Sequence, residues 1–124
     1  MKYLIMLYGN PMTREWWAGL SDAEKNEAAG GHFAINEALA ASGEMIVTQA
    51  LADPATGKRV SLADGRAVTS DGPFAEVKEY LAGFYLVEVD SPERAVEIAG
   101  QFPEAEWGLV EVRPILELGG GSDV

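Results

Sequence analysis

The sequence has no cysteine, a single histidine and few basic residues. The lack of cysteine excludes disulfides, thiolate nucleophiles and cysteine metal sites, and one histidine cannot build a zinc site from several imidazoles. Nine Lys and Arg stand against 20 Asp and Glu, a formal net charge of -11. Nucleic acids and anionic membranes attract clustered basic side chains, so both are disfavoured as partners. We predict neither a bound metal nor another cofactor.

Long hydrophobic runs are also missing. The apolar run at residues 3–8 is too short for a signal peptide, and no stretch approaches the roughly 18 apolar residues of a membrane span. We therefore expect a cytoplasmic protein with no membrane partner. With 124 residues, 48% of them hydrophobic, the chain can form one domain. We predict a single domain over residues 1–118 and a flexible, glycine-rich tail over residues 119–124.

The order of predicted elements indicates an α+β fold. Ser21 and Glu24 fit a capping box that begins a helix, and Gly43 is a typical helix stop. Ser91 and Pro92 fit the start of a second helix. The predicted strands cover residues 3–8, 44–50, 58–62, 66–70, 80–89 and 107–116, and the predicted helices run from Ser21 to about Ser42 and from Ser91 to about Gln101. This order is βαβ, a β-hairpin insert, then βαβ, which is typical of a ferredoxin-like βαββαβ fold.

The strand predicted over residues 80–89 is apolar on both faces, with Glu88 as its one charged residue. A strand of this kind must be covered on both sides. Two helices cover one face of the sheet, and a second copy of the chain would cover the other. We therefore predict a homodimer whose sheets pack face to face.

The segment before that strand, Asp71-Gly72-Pro73-Phe74-Ala75-Glu76-Val77-Lys78-Glu79, combines a turn signal with charged side chains. Asp-Gly-Pro restricts the backbone, and Phe74 is predicted to anchor the turn to the core. A loop held in this way fixes its polar side chains, as a ligand site requires.

These residues resemble the YCII-related family, whose DGPF motif is similar to residues 71–76 followed by Lys78 and Glu79. Residues 2–9, 39–43 and 110–114 also resemble that family, so the likeness covers roughly residues 2–115. The resemblance implies a dimeric α+β barrel of ferredoxin-like subunits. Its wider superfamily includes isomerases, monooxygenases and ligand-binding regulatory domains. DGPF proteins are often encoded near extracytoplasmic-function sigma factors, which implies a regulatory setting.

In the YCII branch, a His-Asp pair is the proposed catalytic dyad, and the resemblance places that histidine at His32. The branch also has an Asp-Pro-Phe sequence near the end of its second helix. This chain departs from it and has Gln101-Phe102-Pro103-Glu104 there.

The candidate catalytic residues are His32 and Asp71. His32 is the one side chain whose unperturbed pKa lies near neutrality, so it could be a general acid or base. The alternative is an inert, hydrogen-bonded histidine, and the position of His32 on the apolar face of its helix favours this alternative. Asp71 could orient His32 or accept a substrate proton, or its carboxylate could cap the backbone of its own turn.

The candidate ligand-binding residues are Lys78, Glu79 and Arg113. Lys78 and Glu79 could bind a ligand's carboxylate and move a proton, or form an ion pair at the strand edge. Arg113 shares a strand face with Glu111. It could hold an anionic ligand, or form a salt bridge with Glu111 or Glu79.

Two functions follow from these residues. In the first, the protein binds a small ligand in a dimer-barrel pocket and performs cofactor-free acid–base chemistry of isomerase or lyase type. In the second, it is a non-catalytic regulatory or sensor module associated with a sigma factor. The second leaves the acidic surface to meet a basic partner.

Overall fold

A computed structural model describes residues 1–73 and 78–117 of the chain. Its strands are β1 (Lys2–Gly9), β2 (Met45–Ala50), β3 (Lys58–Ala63), β4 (Arg66–Asp71), β5 (Tyr80–Glu88) and β6 (Val110–Pro114). Its helices are α1 (Pro11–Ala18), α2 (Asp22–Ser42) and α3 (Pro92–Ala99). Two short 3₁₀ helices cover Pro54–Thr56 and Pro103–Trp107.

Four strands form one antiparallel sheet in the order β2-β5-β1-β6. Strand β5 lies between β1 and β2, so the two strands on either side of α2 are separated by a third. The register pairs Ile5 with Tyr85 on one side and with Val112 on the other. The predicted α+β class is confirmed, while the ferredoxin-like subunit and the dimeric barrel stay predictions.

The ends of α2 follow the sequence signals. The Ser21 side chain accepts a hydrogen bond from the Glu24 backbone N–H, and the Glu24 side chain accepts one from the Ser21 N–H. Gly43 ends the helix with φ of 78°, a left-handed conformation that costs glycine little. The reciprocal hydrogen bonds and the left-handed glycine fix both ends of the helix that carries His32.

Helix α1 was not predicted from the sequence, although its start carries two capping signals. The Asn10 side chain accepts a hydrogen bond from the Thr13 N–H, and Pro11 occupies the first helical position. Both are typical of helix N-termini. The sequence analysis assigns Gly9, Asn10 and Pro11 only to the end of the first strand. None of the residues of α1 is buried, so this helix adds nothing to the core.

One face of the sheet packs against α2 and α3. Its core residues share a low exposure and include Ile5, Leu7, Ile35, Leu39, Tyr85, Val87, Ala95, Ile98 and Phe102. On the opposite face, Leu4, Phe84 and Leu86 stay half-buried and are not part of this core. Strand β5 is apolar on both faces, but in the described part of the chain helices cover only one of them.

Strands β3 and β4 form the predicted hairpin, separate from the main sheet. Its turn residues Asp64 and Gly65 have φ of 52° and 75°, as expected for the two central residues of a tight hairpin turn. The Gly72 N–H donates to the Gly57 carbonyl at 2.9 Å and closes the base of the hairpin.

The last strand is shorter than predicted. We expected it to begin at Trp107, but β6 begins at Val110, and Pro103–Trp107 form a 3₁₀ helix instead. Gly108 ends that helix with φ of 69°, and the Leu109 N–H donates to the Glu104 carbonyl at 3.0 Å. This short helix sets the position of Glu104.

Some predictions fall outside the described residues. Phe74, predicted to anchor the turn, is among residues 74–77, and the predicted tail is among residues 118–124. Within the described ranges, no helix has the length and apolar character needed to cross a membrane.

The Glu44–Arg94 ion pair joins the start of β2 to α3 and predicts an acid-dependent stability. Arg94 donates to both Glu44 carboxylate oxygens at 2.9 Å. The hydrogen bond from Arg94, with one from Ser42, lowers the pKa of Glu44 to about 2. An unfolded glutamate titrates near pH 4.3, so the stabilisation is present above about pH 4.3 and is lost as the pH falls towards 2.

Glu44→Gln is therefore expected to lower the free energy of unfolding at pH 7 and to flatten its decline in acid. Urea denaturation at a series of pH values would measure both effects. Glu37→Gln, at an exposed position on α2, is the control. An unchanged acid dependence in Glu44→Gln would contradict the role of this ion pair.

Candidate functional site

A cavity of about 500 Å³ lies between α2 and the helix-covered face of the sheet. Cavities of this size hold small molecules. The residues lining it come from β1, α2, β2, β5 and the 3₁₀ helix before β6, and they are Leu7, Ala29, His32, Phe33, Asn36, Thr48, Gln49, Ala50, Ala82, Gly83, Phe84, Tyr85 and Glu104. The lining is therefore largely apolar, with a few polar side chains.

His32 and Glu104 form a hydrogen-bonded pair in the wall of this cavity. The His32 Nε2 atom lies 2.7 Å from Glu104 Oε1 and 3.0 Å from Oε2. The two side chains are 31% and 19% exposed, so the pair is partly shielded while His32 keeps access to solvent. A histidine that contacts a carboxylate through one ring nitrogen can exchange a proton through the other.

Two aromatic rings support His32 from the core side. Phe102 is 1% exposed, and its ring stacks on the imidazole with 5.8 Å between ring centroids. The ring of Tyr85 packs on Phe102 at 4.7 Å. The Tyr85 hydroxyl in turn donates a hydrogen bond to the Asn36 side-chain oxygen, one turn along α2 from His32. The imidazole is thus held by packing as well as by Glu104.

Glu104 raises the pKa values of two side chains that line the cavity, His32 and Tyr85. The hydrogen bond with Glu104 raises the pKa of His32 above its usual value, against the opposing effect of burial. Burial also raises the pKa of Tyr85, and the charge of Glu104 adds to that rise. His32 therefore carries its proton to a higher pH than an isolated imidazole, whereas the Tyr85 hydroxyl stays protonated.

The structure does not bring Asp71 to His32. Asp71 lies at the end of β4, its side chain is 76% exposed, and its carboxylate accepts a hydrogen bond from Lys58 Nζ at 2.6 Å. The carboxylate beside His32 is that of Glu104 instead. Hairpin geometry explains the difference, because Lys58 and Asp71 are paired across the two strands.

Arg113 lies away from the cavity. Its Nε atom donates to Glu111 Oε2 at 2.9 Å, so of the two alternatives the structure forms the ion pair with Glu111. Val110 and Val112 pack against the core, so Glu111 and Arg113 project from the opposite face of β6. The Tyr8 hydroxyl donates to the other Glu111 oxygen at 2.9 Å, which completes a polar cluster on that face.

Lys78 and Glu79 are exposed and do not line the cavity. Burial and the hydrogen bond to Glu111 raise the pKa of Tyr8, and the charge of Glu79 adds to this rise. The charge of Glu79 thus acts on the Tyr8–Glu111–Arg113 cluster and not on the cavity residues. The structure thus places the three predicted ligand-binding residues outside the cavity that contains His32.

Glu104 and Asn36 are the site residues that the sequence analysis missed. One sequence signal could have pointed to Glu104. It lies in Phe102-Pro103-Glu104, the stretch where the YCII branch has Asp-Pro-Phe, and so offers a carboxylate near the same position. Asn36 follows His32 by four residues and so lies on the same face of α2.

Among the described residues, no group of three or more His, Cys, Asp or Glu side chains could hold a metal ion.

The fold and the cavity define a small α+β protein with a histidine–carboxylate pair beside a largely apolar pocket. A model of the YCII-related domain matches residues 1–119, so the chain belongs to the YCII-related family, and the prediction of that family is confirmed. An uncharacterized protein of Rhizobium meliloti (strain 1021) is 27% identical over 117 residues, which cover 93% of this chain and 92% of that protein.

Proposed function

We propose that this YCII-related protein binds a small uncharged molecule in the α2–sheet cavity and transfers a proton on it through His32. The observation that carries the proposal is the His32–Glu104 pair at 2.7 Å in the wall of a cavity of about 500 Å³. The reaction class is isomerase or lyase chemistry without a cofactor. Proton transfer by a positioned side chain typically contributes about 10²- to 10⁴-fold to a rate.

In this proposal the two ring nitrogens of His32 have different roles: Nε2 binds Glu104 and Nδ1 exchanges the proton with the ligand. The Glu104 carboxylate favours the tautomer with the proton on Nε2 and stabilises the imidazolium that forms when Nδ1 takes a second proton. Nδ1 would remove a proton beside a carbonyl group of the ligand and return it at another atom, so the reaction needs no oxidant or reductant. Glu104 takes the orienting role that the sequence analysis gave to Asp71.

The side chains that line the cavity favour an uncharged ligand over an anion. Among the described residues no Lys or Arg lines the cavity, and Glu104 would repel an anion. The apolar residues Leu7, Ala29 and Phe33 suit a ring or a conjugated chain, and the Asn36 and Thr48 side chains can donate or accept hydrogen bonds. We therefore propose a neutral aromatic or conjugated carbonyl compound as the ligand class, in place of the anionic ligand for which Lys78, Glu79 and Arg113 were candidate binding residues.

The homodimer is part of the same proposal. The half-buried side chains of Leu4, Phe84 and Leu86 on the second sheet face support a face-to-face association of two copies. The sigma-factor sensor module remains the alternative function, and it requires no proton exchange at His32.

The test is the titration of His32 by NMR, which is unambiguous because the chain has one histidine. Glu104→Gln is expected to lower the pKa of His32, since the main cause of its elevation is the hydrogen bond with the carboxylate. Asp71→Asn is the matched control, because Asp71 bonds Lys58 instead, and it should leave the titration unchanged.

Two results would count against the acid–base pair. One is a histidine that does not titrate, as an inert structural residue would behave. The other is a pKa that responds to Asp71→Asn and ignores Glu104→Gln. Either result would leave the sensor module as the better explanation.

A further inference from the structure

The Asn36 side chain is held in one orientation by a core residue. Its oxygen accepts a hydrogen bond from the Tyr85 hydroxyl. Tyr85 is 4% exposed and belongs to the core, and a phenol keeps its proton at neutral pH. Because the oxygen and the nitrogen of an amide lie on opposite sides of its carbon, the hydroxyl of Tyr85 turns the NH₂ group of Asn36 away from the core.

The NH₂ group of Asn36 is an unused donor in the wall of the α2–sheet cavity. The hydrogen bond from Tyr85 is the one that the Asn36 side chain makes in the described part of the chain. Within residues 1–73 and 78–117, no polar side-chain atom is buried without a hydrogen-bond partner. The NH₂ group is therefore accessible, and Asn36 lines the cavity.

Apart from the imidazole, the other polar side chains near the cavity do not offer such a donor. The Thr48 hydroxyl already donates to the Phe84 carbonyl at 3.0 Å, and the Glu104 carboxylate only accepts. Gln49 pairs with Phe84 in the sheet register, whereas Thr48 pairs with Tyr85 of the core. Since side chains alternate along a strand, that of Gln49 projects from the opposite face of the sheet.

We propose that Asn36 is a catalytic residue whose NH₂ group holds the carbonyl oxygen of the ligand, and that Tyr85 is the positioning residue that orients this amide. The inference rests on the function proposed above and adds to it the group that stabilises charge on the ligand. Asn36 follows His32 by one helical turn, which separates their Cβ atoms by about 5–6 Å. A carbonyl group and the carbon beside it fit within that span.

The amide acts on the charge that proton removal creates. When His32 takes the proton, the C–H bond beside the carbonyl breaks and its electron pair forms a C=C bond, while the π pair of the C=O bond moves to the oxygen. The N–H groups of Asn36 stabilise this enolate oxygen until the proton is returned at another carbon. A preorganised donor of this kind typically contributes about 10²- to 10³-fold to kcat.

Two matched probes test the carbonyl contact. They are β-tetralone, a neutral aromatic ketone, and tetralin, the hydrocarbon that lacks its oxygen. NMR titration measures the affinity for each probe. Deuterium exchange in heavy water, at the β-tetralone carbon between the ring and the carbonyl, measures proton transfer. The wild type is expected to bind the ketone more tightly than the hydrocarbon, and a wild type without this preference would overturn the proposal.

The decisive variant combines Asn36→Leu with Tyr85→Phe, so that no buried hydroxyl is left without its acceptor. Compared with the wild type, its affinity for β-tetralone should fall about 2- to 10-fold and its exchange rate about 10²- to 10³-fold, with the affinity for tetralin unchanged. Tyr85→Phe alone keeps the amide without its orienting bond and should lie between the two. Asn36→Asp, which keeps an acceptor for Tyr85 but lacks the N–H groups, should also lose the ketone preference.

The results separate this inference from the proposed function. A double variant that keeps the ketone preference and the exchange rate would overturn the role of Asn36. Tyr85→Phe as slow as the double variant would also overturn it, since the Tyr85 hydroxyl would then be the donor. If His32→Gln and the wild type exchange deuterium equally slowly, the proton-transfer function fails, and the ketone preference then decides the carbonyl contact of Asn36 by itself.

Discussion

Replacing His32 by glutamine is expected to reduce kcat/KM for a converted ligand by about 10²- to 10⁴-fold, the usual contribution of a positioned acid–base group. Glutamine keeps a polar side chain of similar reach but cannot exchange a proton near neutral pH. Candidate ligands would be neutral aromatic and conjugated carbonyl compounds that shift the His32 NMR signals. Their conversion by the wild type and by His32→Gln would then be compared.

Arg113→Gln is the control for this experiment. Arg113 is 65% exposed and bonds Glu111 on the sheet face opposite the cavity, so its loss should leave conversion unchanged. A strong loss in Arg113→Gln together with full activity in His32→Gln would instead favour the anion-binding site that the sequence suggested.

Phe102→Ala is expected to lower the free energy of unfolding by about 3–5 kcal/mol, as truncation of a buried phenylalanine typically does. Phe102 is 1% exposed, contacts Tyr85 and stacks on His32. The backbone here cannot close the cavity easily, because Phe102 lies between Ala99, at the end of α3, and the 3₁₀ helix that begins at Pro103. Urea denaturation with an unchanged m value would measure the loss.

Phe33→Ala provides the comparison, since Phe33 is 70% exposed and its truncation should change stability by about 0.5 kcal/mol or less. Equal losses in the two variants would show that Phe102 does not anchor the core. In Phe102→Ala, the His32 signals should also move, because the ring that stacks on the imidazole is gone.

The fold was largely predictable because its signals are local. The Ser21–Glu24 capping box, the left-handed Gly43 and the Asp64–Gly65 turn each act within a few residues, and each forms as the sequence indicates. Helix α1 was missed because its capping residues, Asn10 and Pro11, were assigned only to the end of the first strand. The start of β6 was misplaced because Trp107 belongs to the 3₁₀ helix Pro103–Trp107 and Gly108 ends that helix, so the strand begins only at Val110.

The candidate site was predictable only in part. The sequence singled out His32, because an imidazole is the one side chain here whose ordinary pKa lies near neutrality. The sequence did not identify the carboxylate that contacts His32. Asp71 was the candidate because of its place beside a turn, whereas the contact is made by Glu104, which lies 72 residues along the chain from His32. Contacts of that separation depend on how α2 and the 3₁₀ helix pack, which no short sequence pattern encodes.

The sequence by itself determined the α+β class, the YCII-related resemblance, the acidic charge and the identity of the histidine, because composition, periodicity and capping act through neighbouring residues. Only the tertiary structure decided that His32 meets Glu104, that Asp71 meets Lys58 and that Arg113 faces away from the cavity. The physical reason is that strand pairing and helix packing set which distant side chains come within hydrogen-bond distance.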